Sequence, residues 1–193
     1  LPSGLMANQI SVAVHCSPGD EIIMDRTAHP IHYEGGAAAI ISGAMINGLD
    51  GKNGVFTAEQ LKNAIRSKDY HDPQSKLVSI EQTSNLGGGT VWPLETIREV
   101  CSVARENDLA THMDGARLLN AVKASGISAA EYAETFDSVW FDLSKGLGAP
   151  VGSVLAGSEE FIEKARYWKQ RLGGAMRQAG IIAAGGIYAL ENN

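Results

Sequence analysis

Two periods of apolar spacing share the chain. The stretches MANQISVAVHC (residues 6–16), YEGGAAAIISG (33–43), TAEQLKNAIRS (57–67), PLETIREVCSVARENDL (93–109), ARLLNAVKASG (116–126), SAAEYAETF (128–136) and SEEFIEKARYWKQRLG (158–173) carry apolar residues at helical spacing. Between them lie short apolar runs: EIIMD (21–25), AMING (44–48), KLVSIEQ (76–82), ATHMD (110–114), SVWFDLS (138–144) and GSVLAG (152–157). Runs of that length between turn residues read as strands. Thr57 is suited to capping a helix, Pro93 to a helix's first turn, and SPGD to the turn that ends the first helix. Strands that alternate with helices predict an α/β layer structure with a mostly parallel sheet.

In such sheets ligands gather at the carboxyl ends of the strands, so the loops that follow them are the place to look for chemistry. The loop after EIIMD carries His29 and His32, and that after KLVSIEQ carries Thr83, Ser84 and Asn85. Asp114 and Arg117 follow ATHMD, and Lys145 follows SVWFDLS. Four loops are therefore expected to converge on one rim, and the mixture of acid, base and cations there is a stronger signal than any single residue.

Composition narrows the classes. At 193 residues the chain suits one domain with a real core. Its net charge of -6 argues against nucleic acid as the main partner, and no apolar stretch predicts a membrane span. Cys16 and Cys101 sit in apolar helical patterns without a CxxC spacing, which reads as buried reduced thiols and a cytoplasmic protein. No metal-ligating set is expected. The chain opens on LPSGLMANQ and closes on IYALENN, as an excerpt of a longer protein would.

Lys145 lies in LSKGLGAPVG, where Gly146, Gly148 and Pro150 leave a path poor in side chains, so that something flat can approach the backbone. Partial desolvation and a fixed loop suit a lysine that forms a Schiff base; an ordinary solvated lysine is the alternative. Asp114, in HMDGAR, can cap a helix starting at Ala116, or can hold protonated the ring nitrogen of pyridoxal phosphate. Arg117 offers a fork for a carboxylate. An aspartate followed about thirty residues later by a lysine is the chain order of a pyridoxal enzyme. PSGLMAN leads into a helix, so the amides of Gly4, Leu5 and Met6 can face an anion, and Arg177 in GGAMRQAG is a further phosphate or carboxylate partner.

The motifs PSGLMANQ, AHPIHYEGGAAAIISG, THMDGARLLNA, LSKGLGAPVGSVLAG and LGGAMRQAGIIAAGGIYAL occur in an order that resembles the low-specificity L-threonine aldolases of the β-eliminating lyase superfamily. The resemblance implies a three-layer α/β/α large domain of the pyridoxal-phosphate fold type I (aspartate aminotransferase-like), with residues 1–193 lacking an N-terminal segment and a small C-terminal domain. It implies pyridoxal 5'-phosphate as cofactor, a small β-hydroxy-α-amino acid as substrate, retro-aldol cleavage to glycine and an aldehyde, and a homo-oligomer, a dimer of dimers. Residue by residue, it implies Lys145 as the Schiff-base lysine, Asp114 as partner of the pyridine nitrogen and His29 as the ring on the pyridine face. Arg117 and Arg177 become cofactor or carboxylate contacts, Ser3, Gly4 and Leu5 the phosphate turn, and Glu34 part of the network around a catalytic water.

Three positions depart from the family pattern. Leu5 replaces a second hydroxyl in the phosphate turn. Ser84 replaces a histidine expected to face the substrate's β-hydroxyl, so that Glu34, His32 or a water would have to take the proton. Lys169, Gln170 and Arg171 replace a pair of basic residues. Two other readings share the apparatus: another pyridoxal-phosphate β-eliminating lyase or racemase, and a relative that binds without turnover.

Overall fold

A computed structural model describes all residues, Leu1–Asn193. Its centre is a six-stranded sheet in the order β2-β1-β3-β4-β5-β6. The strands are β1 (Glu21–Asp25), β2 (Met45–Leu49), β3 (Ser75–Glu81), β4 (Ala110–Gly115), β5 (Ser138–Asp142) and β6 (Ser153–Gly157). The first five are mutually parallel, and β6 runs antiparallel to β5. The expected mostly parallel sheet is therefore present.

Helices cover both faces. The helices α1 (Gly4–His15), α3 (Ala37–Ser42) and α8 (Glu159–Arg171) form one layer; α4 (Ala58–Ala64), α5 (Leu94–Glu106), α6 (Leu118–Ser125) and α7 (Ala129–Ala133) form the other. Thr57 caps α4, as the sequence predicts, and Gln60 returns the bond to the Thr57 backbone N–H. Pro93 occupies the N-cap of α5, one residue before its first turn. Two helices were not expected: the single turn α2 (His29–His32) and the final α9 (Gly180–Asn192). Small residues fill α9, and its apolar positions run all round it, so the sequence carries no amphipathic stripe there.

The period of two along the strands sorts the side chains. Ile23, Val78, Ile80, Met113 and Val139 face α4–α7 in the largest apolar cluster, which also holds Trp92, Ile97 and Tyr132. On the opposite face Ile22, Met24 and Leu77 pack with Val12 and Ala38. Further along the sheet that second face turns polar. The register pairs Ser79 with His112 and Glu81 with Asp114, then His112 with Ser138 and Asp114 with Trp140. These residues lie beneath α1.

The strand order reverses between β1 and β3. In sheets of this kind such a switch point is where the outgoing loops diverge and leave a crevice at the carboxyl ends of the strands.

Candidate active site

The site is built where α1 crosses the polar end of the sheet. Asn8 and Gln9 occupy buried positions in the middle of α1, and both reach Glu34. The Asn8 Nδ2 donates to Glu34 Oε1 at 2.7 Å and to Asp114 Oδ2 at 2.8 Å. The other Asp114 oxygen accepts the Ala116 N–H at 3.0 Å, which turns the chain out of β4. His29, on α2, bonds Glu34 Oε1 through Nδ1 at 2.9 Å. A continuous set of hydrogen bonds thus joins His29, Glu34, Asn8 and Asp114 across three segments far apart in sequence.

Asp114 is 2% exposed and forms no ion pair. Burial pushes its carboxyl above the ordinary value, and the Asn8 and Ala116 N–H groups oppose that rise. A buried carboxylate held only by neutral donors is suited to a cationic N–H partner, which would offset its desolvation. The His29 ring is held by Glu34, whose hydrogen bond raises the imidazole pKa. Its side chain is 31% exposed, and its ring lies 5.3 Å from that of Tyr33.

Lys145 lies in the turn after β5, with Nζ 3.5 Å from Asp142 Oδ2 and 5.8 Å from the Trp140 ring centroid. Its glycines have separate reasons. Gly148 has φ +69°, in the left-handed region, and a Cβ on Gly146 would lie 2.8 Å from Asn120 Oδ1. Arg117 is half-buried at the N-cap of α6, and its backbone N–H donates to Gln82 O at 3.1 Å.

At the start of α1, Ser3 is the N-cap and its hydroxyl accepts the Met6 N–H at 3.2 Å. One of the three amides expected to face an anion is therefore engaged, while Gly4 and Leu5 precede the first intrahelical donors. Gly4 is also fixed by packing: a Cβ there would lie 2.2 Å from the Trp140 ring. Leu5 is 40% exposed. Arg177 is exposed in the turn before α9, and neither Arg117 nor Arg177 joins any ion pair of the chain.

Two expected residues are placed elsewhere. His32 is turned outward, with Nε2 bonded to Arg26 O at 2.9 Å. Ser84 is 1% exposed and lies inside its own turn rather than at the rim; its hydroxyl accepts the Gly87 N–H at 3.3 Å. Gly54 approaches so closely that a Cβ on it would lie 1.9 Å from Ser84 Oγ. The reason is packing: the loops carrying Gly54 and Gly87 close over this hydroxyl. Ser84→His is therefore expected to destabilise the fold by about 1–3 kcal/mol through overpacking, measured by denaturant unfolding.

Glu81 was not among the residues expected from sequence. It ends β3 opposite Asp114, and its Oε2 is buried without a partner. Burial first and the neighbouring Asp114 second push its carboxyl from 4.5 up to about 7. The folded state therefore holds a proton that the unfolded chain releases above pH 4.5, and this contribution to stability is lost as pH rises through about 7. Glu81→Gln mimics the protonated form. The variant is expected to gain on the unsubstituted protein between pH 4.5 and 7, by about 3 kcal/mol at about 1.4 kcal/mol per pH unit. Urea melts at pH 5 and pH 8 measure it; a pH-independent difference would leave Glu81 ionised throughout.

The remaining residues missed from sequence are Asn8, Gln9, His112 and Trp140. The signal available was MANQIS: Asn8, Gln9 and Ser11 sit among apolar neighbours on a helix, and all are buried.

The comparisons agree with this architecture. The model of the family described as beta-eliminating lyase matches residues 1–193. The chain is 41% identical over 194 residues to the low specificity L-threonine aldolase of Escherichia coli K12, covering 100% of this chain and 57% of that protein. It is 42% identical over 196 residues to the low-specificity L-threonine aldolase of Candida albicans, covering 99% and 52%. Among solved structures, one from Listeria monocytogenes, provisionally an L-allo-threonine aldolase, superposes with a TM-score of 0.86 at 26% identity, over 100% of this chain and 52% of that one. The threonine aldolase of Leishmania major gives a TM-score of 0.86 at 19% identity over 99% and 56%, which shows the shared fold. The chain thus spans about half the length of the curated relatives it matches. With the match running from its first residue to its last, the chain belongs to the beta-eliminating lyase family.

Proposed function

We propose that this chain is the pyridoxal-phosphate-binding domain, residues 1–193, of an aldolase that cleaves a β-hydroxy-α-amino acid to glycine and an aldehyde. The observation that carries the reading is Asp114: a buried carboxylate at the end of β4, anchored by Asn8 and Ala116 and without a cation of its own. The 41% identity to a low specificity L-threonine aldolase supports the substrate class.

Pyridoxal phosphate, when bound, supplies the electron sink for the pair released as the Cα–Cβ bond breaks. The protein's part is positional and electrostatic. Asp114 would accept the ring N–H and favour its protonated form. His29, fixed by Glu34, would lie against the ring face, and Lys145 would supply the amine that bonds the cofactor. Ser3, Gly4 and Leu5 would receive the phosphate at the start of α1, with Arg177 as a further cation. Arg117 would clamp the substrate carboxylate and so set which bond stands perpendicular to the ring. Glu34, through its hydrogen bond to His29, is the group through which the proton of the β-hydroxyl would leave. Ser84 lies in its turn and supplies no base.

A cytoplasmic location and a homo-oligomer, a dimer of dimers, belong to the same proposal. Buried, unpaired Cys16 and Cys101 support the former: burial raises their thiols to about 12 and about 11, where they resist oxidation. No helix of the chain is long and apolar enough to cross a membrane.

The test supplies the purified full-length protein with pyridoxal phosphate and then with threonine, allo-threonine, phenylserine or serine. Glycine and the matching aldehyde in equal amounts are expected. A keto acid with ammonia would indicate β-elimination, an inverted amino acid would indicate racemisation, and cofactor uptake without any product would indicate a non-catalytic relative. Each of these would overturn the reading.

A further inference from the structure

The polar face of β4 and β5 continues away from the crevice, and its hydrogen bonds have only one consistent direction. Trp140 Nε1 can only donate, and it lies 2.6 Å from Asn8 Oδ1. That contact fixes the Asn8 amide, with its oxygen toward Trp140 and its NH2 toward the carboxylates of Glu34 and Asp114. His112 Nε2 lies 3.3 Å from the same oxygen and must therefore carry a proton. The His112 imidazole, 1% exposed, is lowered by burial to about 3 and is neutral. Its Nδ1 is then a bare acceptor, 2.9 Å from Ser138 Oγ, so Ser138 donates to it. With that proton engaged, Ser138 Oγ accepts from His15 Nε2 at 2.8 Å. His15 stacks on Phe161 at 5.0 Å and lines a surface recess with Asp137, Glu160 and Lys164.

We propose that Asn8 is a positioning residue which holds Asp114 and Glu34 together, and that the orientation Trp140 gives it is reinforced from the opposite end of the sheet by a one-way chain of donors, His15 to Ser138 to His112 to Asn8. The relevance to catalysis rests on the proposed function, but the chain itself does not. A flipped Asn8 would place its oxygen against two carboxylates and its NH2 against the donors of Trp140 and His112. The two donors therefore exclude that rotamer. Asn8 touches neither substrate nor cofactor in this arrangement; it acts through Asp114 and Glu34.

The experiment uses isotopically labelled full-length protein without cofactor, and reads the Asn8 side-chain NH2 exchange rate and the ring-nitrogen shifts of His112. Slow exchange and a neutral His112 protonated at Nε2 are expected. His112→Leu should speed Asn8 NH2 exchange by about tenfold or more, and His112→Gln, which retains a donor, should restore much of the protection. Because His112→Leu opens a buried site, Ser138→Ala provides the milder test: it removes the donor to Nδ1, and a fraction of His112 should shift to the Nδ1–H form. In parallel, His112→Leu is expected to weaken pyridoxal phosphate binding by about tenfold with the amino-acid KM little changed. An Nδ1-protonated His112 in the unsubstituted protein, or Asn8 exchange indifferent to both substitutions, would overturn the proposal. Exchange that responds as expected in a protein that takes up no pyridoxal phosphate would support the hydrogen-bond chain and sink the cofactor reading instead.

Discussion

Lys145→Ala is expected to give a folded protein that has lost about 10³-fold or more of its turnover. The fold should survive because the Lys145 side chain is 37% exposed and its contacts are few. It pairs with Asp142 at 3.5 Å and passes the Trp140 ring at 5.8 Å, contacts that together contribute about 1 kcal/mol or less. Asp142 retains the Ser144 N–H and hydroxyl, both at 2.8 Å, so its turn keeps its hydrogen bonds without the lysine. The chemistry should not survive, because no other lysine follows the carboxyl end of a strand that borders Asp114. Borohydride reduction of the protein with pyridoxal phosphate, followed by peptide mapping, should place the cofactor mass on the peptide that contains Lys145. The same mass on another lysine, or turnover close to that of the unsubstituted protein in Lys145→Ala, would remove Lys145 from the site.

The layer order and most strands were readable in the sequence because their signals are local. EIIMD, KLVSIEQ and ATHMD are short apolar runs between helices of clear period, and they form β1, β3 and β4. The helix α9 was not readable, since GIIAAGGIYALEN has small and apolar residues on every side and no stripe to detect. The antiparallel pairing of β6 escaped for another reason: the ten-residue LSKGLGAPVG connection contains no helical pattern, and direction in a sheet depends on the crossover rather than on the strand.

Candidate residues at strand ends were legible for the same local reason, whereas their support was not. Asn8 meets Asp114 across 106 positions and Trp140 across 132, and nothing in MANQIS states which partners a buried amide will find. Alternation alone does place His112 and Asp114 on one face of β4. That this face is the one beneath α1 follows only from the crossing of the whole layer. Ser84 shows the converse limit. Its position in a strand-end loop suggested a substrate contact, but Gly54 and Gly87, distant in sequence or shielded by a turn, close over its hydroxyl.

Asp114→Asn should separate the two meanings of that residue, the cap of a turn and the partner of a cation. The carboxylate now accepts on both oxygens, from Asn8 Nδ2 at 2.8 Å and from Ala116 N at 3.0 Å. An asparagine has one oxygen, so its NH2 must face one of these two donors. Because Trp140 and His112 oppose a flip of Asn8, and the Ala116 N–H belongs to the backbone, neither donor can turn away. The conflict should cost about 1–3 kcal/mol of stability, read by urea unfolding of the cofactor-free protein. Removing the charge has a separate effect on the cofactor. Loss of a buried charged partner to the ring N–H is worth about 3–5 kcal/mol, about two to nearly four powers of ten in cofactor affinity, and with the ring nitrogen no longer held protonated turnover should fall by about a hundredfold or more even where cofactor saturates. Asp114→Glu retains the charge but on a longer arm, which displaces the carboxylate from Asn8 and Ala116, and should recover only part of that loss. The decisive comparison is turnover at saturating pyridoxal phosphate against unfolding free energy for both variants. If Asp114→Asn lost stability as expected but kept its turnover, Asp114 would be the cap of the turn from β4 into α6, and the cation would have to be held elsewhere.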